Sequence, residues 1–158
     1  MFIRPMTGED ELMPFLVAAM DWRNHNAWTP ESILAAPDIA HYITGWLRPG
    51  DFGLIAEIDG IPAGAAWWRT FTSDDPGYGY VADDVPEIGL AVLAGWRGLG
   101  YGSLLLTEIC EHARDAGVRG LSLSVEDGND GARRLYERTG FAVCGREGNS
   151  DTMVLRLA

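Results

Sequence analysis

Apolar residues recur along this chain with two periods, and the switches between them predict its elements. Phe2 to Pro5 reads as a first strand. Leu12, Phe15, Leu16, Ala19 and Met20 then recur at helical spacing, with Thr7-x-x-Asp10 ahead of them resembling a helix start. Thr29-Pro30-Glu31 forms an N-cap with proline at the first helical position, opening a short second helix. Pro37-Asp38 restarts it, carrying Ile39, Tyr42, Ile43, Trp46 and Leu47, until Arg48-Pro49-Gly50-Asp51 breaks it. Residues 52–58 and 61–71 are strands joined by Asp59-Gly60, a strong hairpin signal. Residues 72–84 form a polar, glycine-containing loop.

A short apolar strand, Glu87-Ile88-Gly89-Leu90-Ala91-Val92, runs from that loop into Arg97-Gly98-Leu99-Gly100-Tyr101-Gly102. A helix over 102–116 follows, with Leu105, Leu106, Ile109, Cys110 and Ala113 on one face and Thr107, Glu108, Glu111, Arg114 and Asp115 on the other. Gly117 supplies its stop. Leu121, Leu123 and Val125 alternate with Ser122 and Ser124, which predicts a strand with one buried face. Asn129-Asp130-Gly131-Ala132 opens a helix to Arg138, and Gly140-Phe141 leads into strands over 141–146 and 151–157. No linker, repeat or composition shift interrupts 158 residues, so residues 1–158 read as a single domain.

The glycine turn carries the chemistry. Three glycines within five residues allow a tight turn with bare N–H groups, and the helix behind them adds orphan donors and the positive end of its dipole. That combination cradles an anion, best a phosphate or pyrophosphate. A P-loop would need lysine before the serine, and Gly102-Ser103 has none. A dinucleotide fingerprint would read Gly-x-Gly-x-x-Gly with an acid about twenty positions on, and neither feature is present.

Arg97-Gly98-x-Gly100-x-Gly102 followed by Asn129-x-x-Ala132-x-x-x-Tyr136-x-x-x-Gly140-Phe141 resembles the GNAT superfamily of acyl-CoA-dependent N-acyltransferases, closely over residues 87–141 and in outline elsewhere. The resemblance implies an α/β GNAT fold, a mixed central sheet of about seven strands flanked by about four helices. It implies acetyl-CoA as co-substrate, its pyrophosphate on the turn from Arg97 through Gly98, Leu99, Gly100, Tyr101 and Gly102 to Ser103. The pantetheine arm would pair with the backbone of Leu90, Ala91 and Val92. Glu87 is then the candidate base for the amine, against a solvated strand-end carboxylate. Tyr136 is the candidate proton donor to the leaving thiolate, against a core tyrosine. Asn129 would contact the cofactor arm, against a capping or turn role. Arg97 could add a side-chain contact to phosphate; Arg133 and Arg134 read as a solvated helix face that could reach the 3′-phosphate.

Trp67 and Trp68 are adjacent on a strand and point to opposite faces, so one should be core and the other could line an acceptor cleft. Trp22, Trp28, Trp46 and Trp96 read as packing, with Trp22 and Trp28 flanking a turn that borders acceptor sites in GNAT relatives. His25, His41 and His112 lack metal-ligand spacing, and no metal is expected. Asp74, Asp75, Asp83 and Asp84 read as a solvated loop that could select a cationic amine.

Charge and cysteines narrow the partners. Twelve basic against 23 acidic residues give −11, which argues against nucleic acid and mildly favours a cationic substrate. Cys110 and Cys144 sit at apolar positions and read as structural thiols. With no apolar run long enough for a bilayer and no signal-peptide core at the N-terminus, the cytoplasm is the expected compartment and no membrane partner is expected. The expected protein is an acetyl-CoA-dependent N-acetyltransferase acting by direct attack of a primary amine in a ternary complex. The acceptor is a small-molecule amine or a peptide or protein amine, and a homodimer remains open. A non-catalytic acyl-CoA-binding or sensor domain, and transfer of a longer acyl group, are the alternatives.

Overall fold

A computed structural model describes residues 1–157. The strands are β1 (Phe2–Pro5), β2 (Phe52–Ile58), β3 (Ile61–Arg69), β4 (Glu87–Val92), β5 (Gly120–Glu126), β6 (Ala142–Glu147) and β7 (Ser150–Arg156). The helices are α1 (Met13–Met20), α2 (Pro30–Ala35), α3 (Pro37–Ala40), α4 (Tyr101–Asp115) and α5 (Asp130–Thr139). The strands form one mixed sheet in the order β1-β2-β3-β4-β5-β7-β6. This is the expected GNAT architecture, with five helices among the described residues because the second expected helix divides at Ala36. The chain falls into two compact units, residues 1–67 with 89–105 and residues 68–88 with 106 onward; β3, β4 and α4 contribute to both.

In the first unit, β1 pairs antiparallel with β2 from Phe2↔Glu57 to Pro5↔Leu54. Arg4 on β1 holds Glu57 and grips Asp10 with two bonds of 2.8 Å. Asp10 also accepts the Thr7 N–H, and its own N–H closes a turn onto the Thr7 carbonyl. Thr7-x-x-Asp10 is therefore a turn clamped by Arg4, and the first helix starts later, at Met13. Thr29 caps α2 as its sequence predicts, in a reciprocal pair with Ser32. Beyond Ala40 the chain continues as turns rather than as helix, with i→i+3 bonds from Tyr42, Ile43 and Trp46 and an i→i+4 bond from Thr44. Leu12, Phe15, Leu16, Ile33 and Ile39 pack with Ile55, Ala65, Trp67 and Ala91 as the core.

Asp59 and Gly60 both take left-handed backbone, φ 52° and 78°, which suits the right-handed twist of a two-residue hairpin. The β3–β4 register follows from three close approaches. Leu93 N–H donates to the Ala63 carbonyl at 2.8 Å. A Cβ on Gly64 would stand 2.9 Å from the Ala91 carbonyl oxygen and 3.4 Å from Val92 Cα, and one on Gly89 would stand 2.4 Å from the Trp67 indole. Ala63, Gly64 and Trp67 thus face Leu93, Val92 and Gly89, and the strands run antiparallel.

In the second unit, β5 lies between β4 and β7. It pairs in parallel with β4 at Glu87↔Ser122 and antiparallel with β7 from Gly120↔Arg156 to Glu126↔Ser150. Ser122 is fully buried, so the expectation of a single buried face fails here: an interior strand is covered on both sides. The α4 stripe is as predicted, with Leu105, Leu106, Ile109, Cys110 and Ala113 all buried. Cys144 is a correction, for it is exposed on β6, the outermost strand. No helix among the described residues is long and apolar enough to cross a membrane.

Gly89 owes its identity to the Trp67 ring lying over it. Gly89→Ala should destabilise the fold by about 1–3 kcal/mol through overpacking, although glycine-to-alanine in an open strand normally stabilises. Urea unfolding checks this, and Gly89→Ala in a Trp67→Leu background should lose less than the sum of the two single changes.

Candidate active site

The glycine turn leaves the sheet where β4 ends. The Leu93–Ala63 bond anchors its start, and Trp96 N–H closes a first turn onto the Leu93 carbonyl. Gly98 and Gly100 are left-handed, φ 77° and 86°, and a Cβ at either position would meet nothing within 4 Å. Glycine is needed there for backbone conformation, not for room. The first bond of α4 joins Leu104 N–H to the Gly100 carbonyl at 3.2 Å, so the N–H groups of Tyr101, Gly102 and Ser103 precede the helical ladder. The turn is open to solvent, with Leu99 60 % exposed. Arg97 folds back and donates Nε–H to the Val92 carbonyl at 3.0 Å, tying the turn to the strand end. Upstream, Ala91 is buried in the core, while Leu90 and Val92 are only half-buried although β4 is an interior strand.

Glu87 is 6 % exposed, which overturns the solvated strand-end alternative. Its Oε1 accepts the Gly79 N–H at 3.1 Å. Gly79 lies hard against β5: a Cβ there would stand 2.6 Å from the Leu123 carbonyl carbon. One residue earlier the Tyr78 carbonyl accepts a long 3.5 Å bond from Thr152. The expected solvated loop is thus packed at its centre, with Gly77 and Gly79 buried. Its acids are divided: Asp83 accepts the Tyr80 hydroxyl and Asp84 takes a two-pronged Arg119 contact, while Asp74 and Asp75 are exposed.

Tyr136 lies on α5, 9 % exposed, with its ring edge-on to Phe141 at 5.9 Å. Burial pushes its phenol up to about 12, so it is protonated at neutral pH. Its hydroxyl has no hydrogen-bond partner among the described residues. Arg133 is bound to Asp151 at 2.6 Å and Arg146 to both Asp127 and Asp151, so Arg133 is part of an ion-pair cluster joining α5 to β7 rather than a solvated face. Arg134 is exposed. Asn129 occupies the N-cap position of α5 without a side-chain cap bond, which removes the capping alternative.

Trp67 and Trp68 are both buried, so neither lines an open cleft; β3 is interior and covered on both faces. Trp22 is half-buried with the Arg23 guanidinium 4.2 Å over its ring, and His25 is exposed. Among the described residues no group of three or more His, Cys, Asp or Glu could hold a metal. Of the expected residues, the glycine turn and Leu90 to Val92 belong to one compact unit, and Glu87, Asn129 and Tyr136 to the other. Four buried polar residues were not legible in the sequence: Arg69 at the end of β3, Ser122 on β5, and Ser150 and Thr152 on β7. None carries a local motif.

The sequence profile of the acetyltransferase (GNAT) family matches residues 16–141. The chain belongs to this family. It is 30 % identical to the mycothiol acetyltransferase of Nocardiopsis dassonvillei, over 89 % of this chain and 45 % of that protein. The chain thus spans under half the length of that relative. Among solved structures it resembles the ribosomal-protein-alanine N-acetyltransferase of Brucella melitensis, with a TM-score of 0.71 and 24 % identity over 99 % of this chain and 100 % of that one. It also resembles the PaiA N-acetyltransferase of Thermoplasma acidophilum in complex with coenzyme A, with a TM-score of 0.68 and 16 % identity over 99 % of each. The two structural likenesses establish the GNAT fold.

Burial of Tyr136 makes a pH prediction for this GNAT chain. Its phenol ionises near 10 when unfolded and near 12 when folded, so the folded state holds the proton longer. The resulting stabilisation, about 2–3 kcal/mol, is present below pH 10 and lost as pH rises through 12. The difference in phenolate absorbance between wild type and Tyr136→Phe should show one tyrosine that stays neutral past the normal range. A difference curve centred at an ordinary tyrosine value would contradict this burial.

Proposed function

We propose that this chain is an N-acetyltransferase that moves acetyl from acetyl-CoA to a primary amine within a ternary complex. The observation that carries the reading is the left-handed Gly98–Gly100 turn, open to solvent, entering α4 directly after β4. Family membership supports it, as do the printed activities of the mycothiol and ribosomal-protein-alanine acetyltransferases and the coenzyme A in the Thermoplasma protein.

Backbone N–H groups from Arg97 to Ser103 would hold the pyrophosphate. Exposed left-handed glycines and amides ahead of the helical ladder fit that group. Half-buried Leu90 and Val92, with Ala91 between them, would offer backbone to the pantetheine arm, and Asn129 would contact that arm. Acetyl-CoA supplies an activated thioester. The amine nitrogen bonds to its carbonyl carbon as the carbon–sulfur bond breaks, so no covalent enzyme intermediate is needed. Glu87, buried and held by the Gly79 N–H, takes the amine proton directly or through a water. Tyr136, kept protonated by burial, returns a proton to sulfur. The acceptor is a small-molecule amine or a peptide or protein amine, and the acidic chain favours a cationic one. Two free cysteines fit a reducing, cytoplasmic setting.

Gly100→Asp adds a carboxylate where phosphate would approach and forces an L-residue into φ 86°. It should abolish acetyl-CoA binding by calorimetry while the far-UV spectrum stays native; unchanged affinity would remove this turn from the site. Tyr136→Phe keeps the ring against Phe141 and removes only the donor. The turnover number should fall about 10²–10⁴-fold with acetyl-CoA affinity intact. A bare binding domain would show no turnover to lose with any amine offered.

A further inference from the structure

Two charged residues lie in the buried interior of the second unit. Arg69 is 1 % exposed, and Glu87 is buried as well. An isolated buried guanidinium is too costly to persist, so a partner of opposite charge is required. The register supplies one. Ala63 faces Leu93, Gly64 faces Val92 and Trp67 faces Gly89, each pair keeping the antiparallel sum of positions constant. Two residues further along β3, the same register sets Arg69 opposite Glu87. Directly opposed residues in an antiparallel pair share one face of the sheet. The side chain of Asp51 is also covered, but Asp51 is engaged by Arg48.

From these observations we infer that Arg69 is the buried counter-charge of Glu87 and a positioning residue for the proton-accepting carboxylate. Two neutral groups are also set against Glu87: Ser122 beside it on β5, whose buried hydroxyl has no hydrogen-bond partner among the described residues, and the Gly79 N–H from the loop. A guanidinium opposite a carboxylate favours its ionised form, the form able to accept a proton. The pairing stands on register and burial; its catalytic consequence rests on the proposed role of Glu87 in acetyl transfer.

The test separates the two. Arg69→Met, Glu87→Gln and the double variant are compared by urea unfolding at neutral pH, where catalysis plays no part. Each single change leaves its partner buried without counter-charge. The double variant should therefore be more stable than the sum predicts, by about tenfold or more in the folding equilibrium constant. Additive losses overturn the pair. If Arg69→Met does not fold, recovery of folding in the double variant supports the pair, and failure of both overturns it. The acidic limb of the turnover–pH profile should move to higher pH in Arg69→Met and return toward wild type in Arg69→Lys, with acetyl-CoA affinity unchanged in both. Coupling without any movement of that limb would leave the pair standing and overturn the positioning role.

Discussion

A helix that begins in mid-chain starts with N–H groups that have no carbonyl to meet, and this chain leaves those of α4 uncovered. Holding them in place makes demands on both sides. Upstream, β4 is locked to β3 by the Leu93–Ala63 bond and by the close approach of Gly64 and Gly89 to the opposite strand. Downstream, α4 is fixed by an apolar stripe that is buried along its length. Between them only the left-handed glycines turn the chain, and Arg97 ties the turn back to Val92. Rigid elements on either side of a bare loop are what anion recognition by backbone requires, because the donors are oriented before the ligand arrives.

Glu87 is governed by a different constraint, the cost of burying charge. Glu87 stands at the start of β4, yet the loop before it folds over and donates the Gly79 N–H to its carboxylate. That loop can lie so close to β5 only because residue 79 has no side chain. A carboxylate in this position is shielded from bulk water, where hydrogen bonds and ion pairs act more strongly than on a surface. The fold thus places the Glu87 carboxylate in the interior and leaves the glycine turn exposed.

Tyr136 is positioned by a third device. Gly140, at φ 110°, ends α5 and returns the chain so that Phe141 meets the Tyr136 ring. The Arg133–Asp151–Arg146–Asp127 cluster joins α5, β7 and β6, although its surface members contribute little stability on their own. Burial of Tyr136 on the same helix raises its phenol above the ordinary value.

Features written in short stretches were legible from the sequence alone. The Asp59-Gly60 hairpin, the Thr29 cap, the α4 stripe, the glycine turn and the Gly140 stop each depend on backbone preference or periodicity within a few residues. The linked glycine and Asn129–Tyr136 motifs carried the family for the same reason. What failed depended on neighbours distant in the chain. Thr7-x-x-Asp10 has the letters of a helix start, but Arg4 takes the carboxylate. Ser122 and Trp68 alternate as if one face were open, yet β5 and β3 lie inside the sheet and are covered on both sides. Cys144 has an apolar pattern around it and is exposed because β6 is the outermost strand. Burial of Glu87, Arg69 and Ser122 has the same origin. Local sequence set which elements form and where the chain turns, whereas strand order decided which polar groups lost their water, since that depends on what packs beside a residue in space.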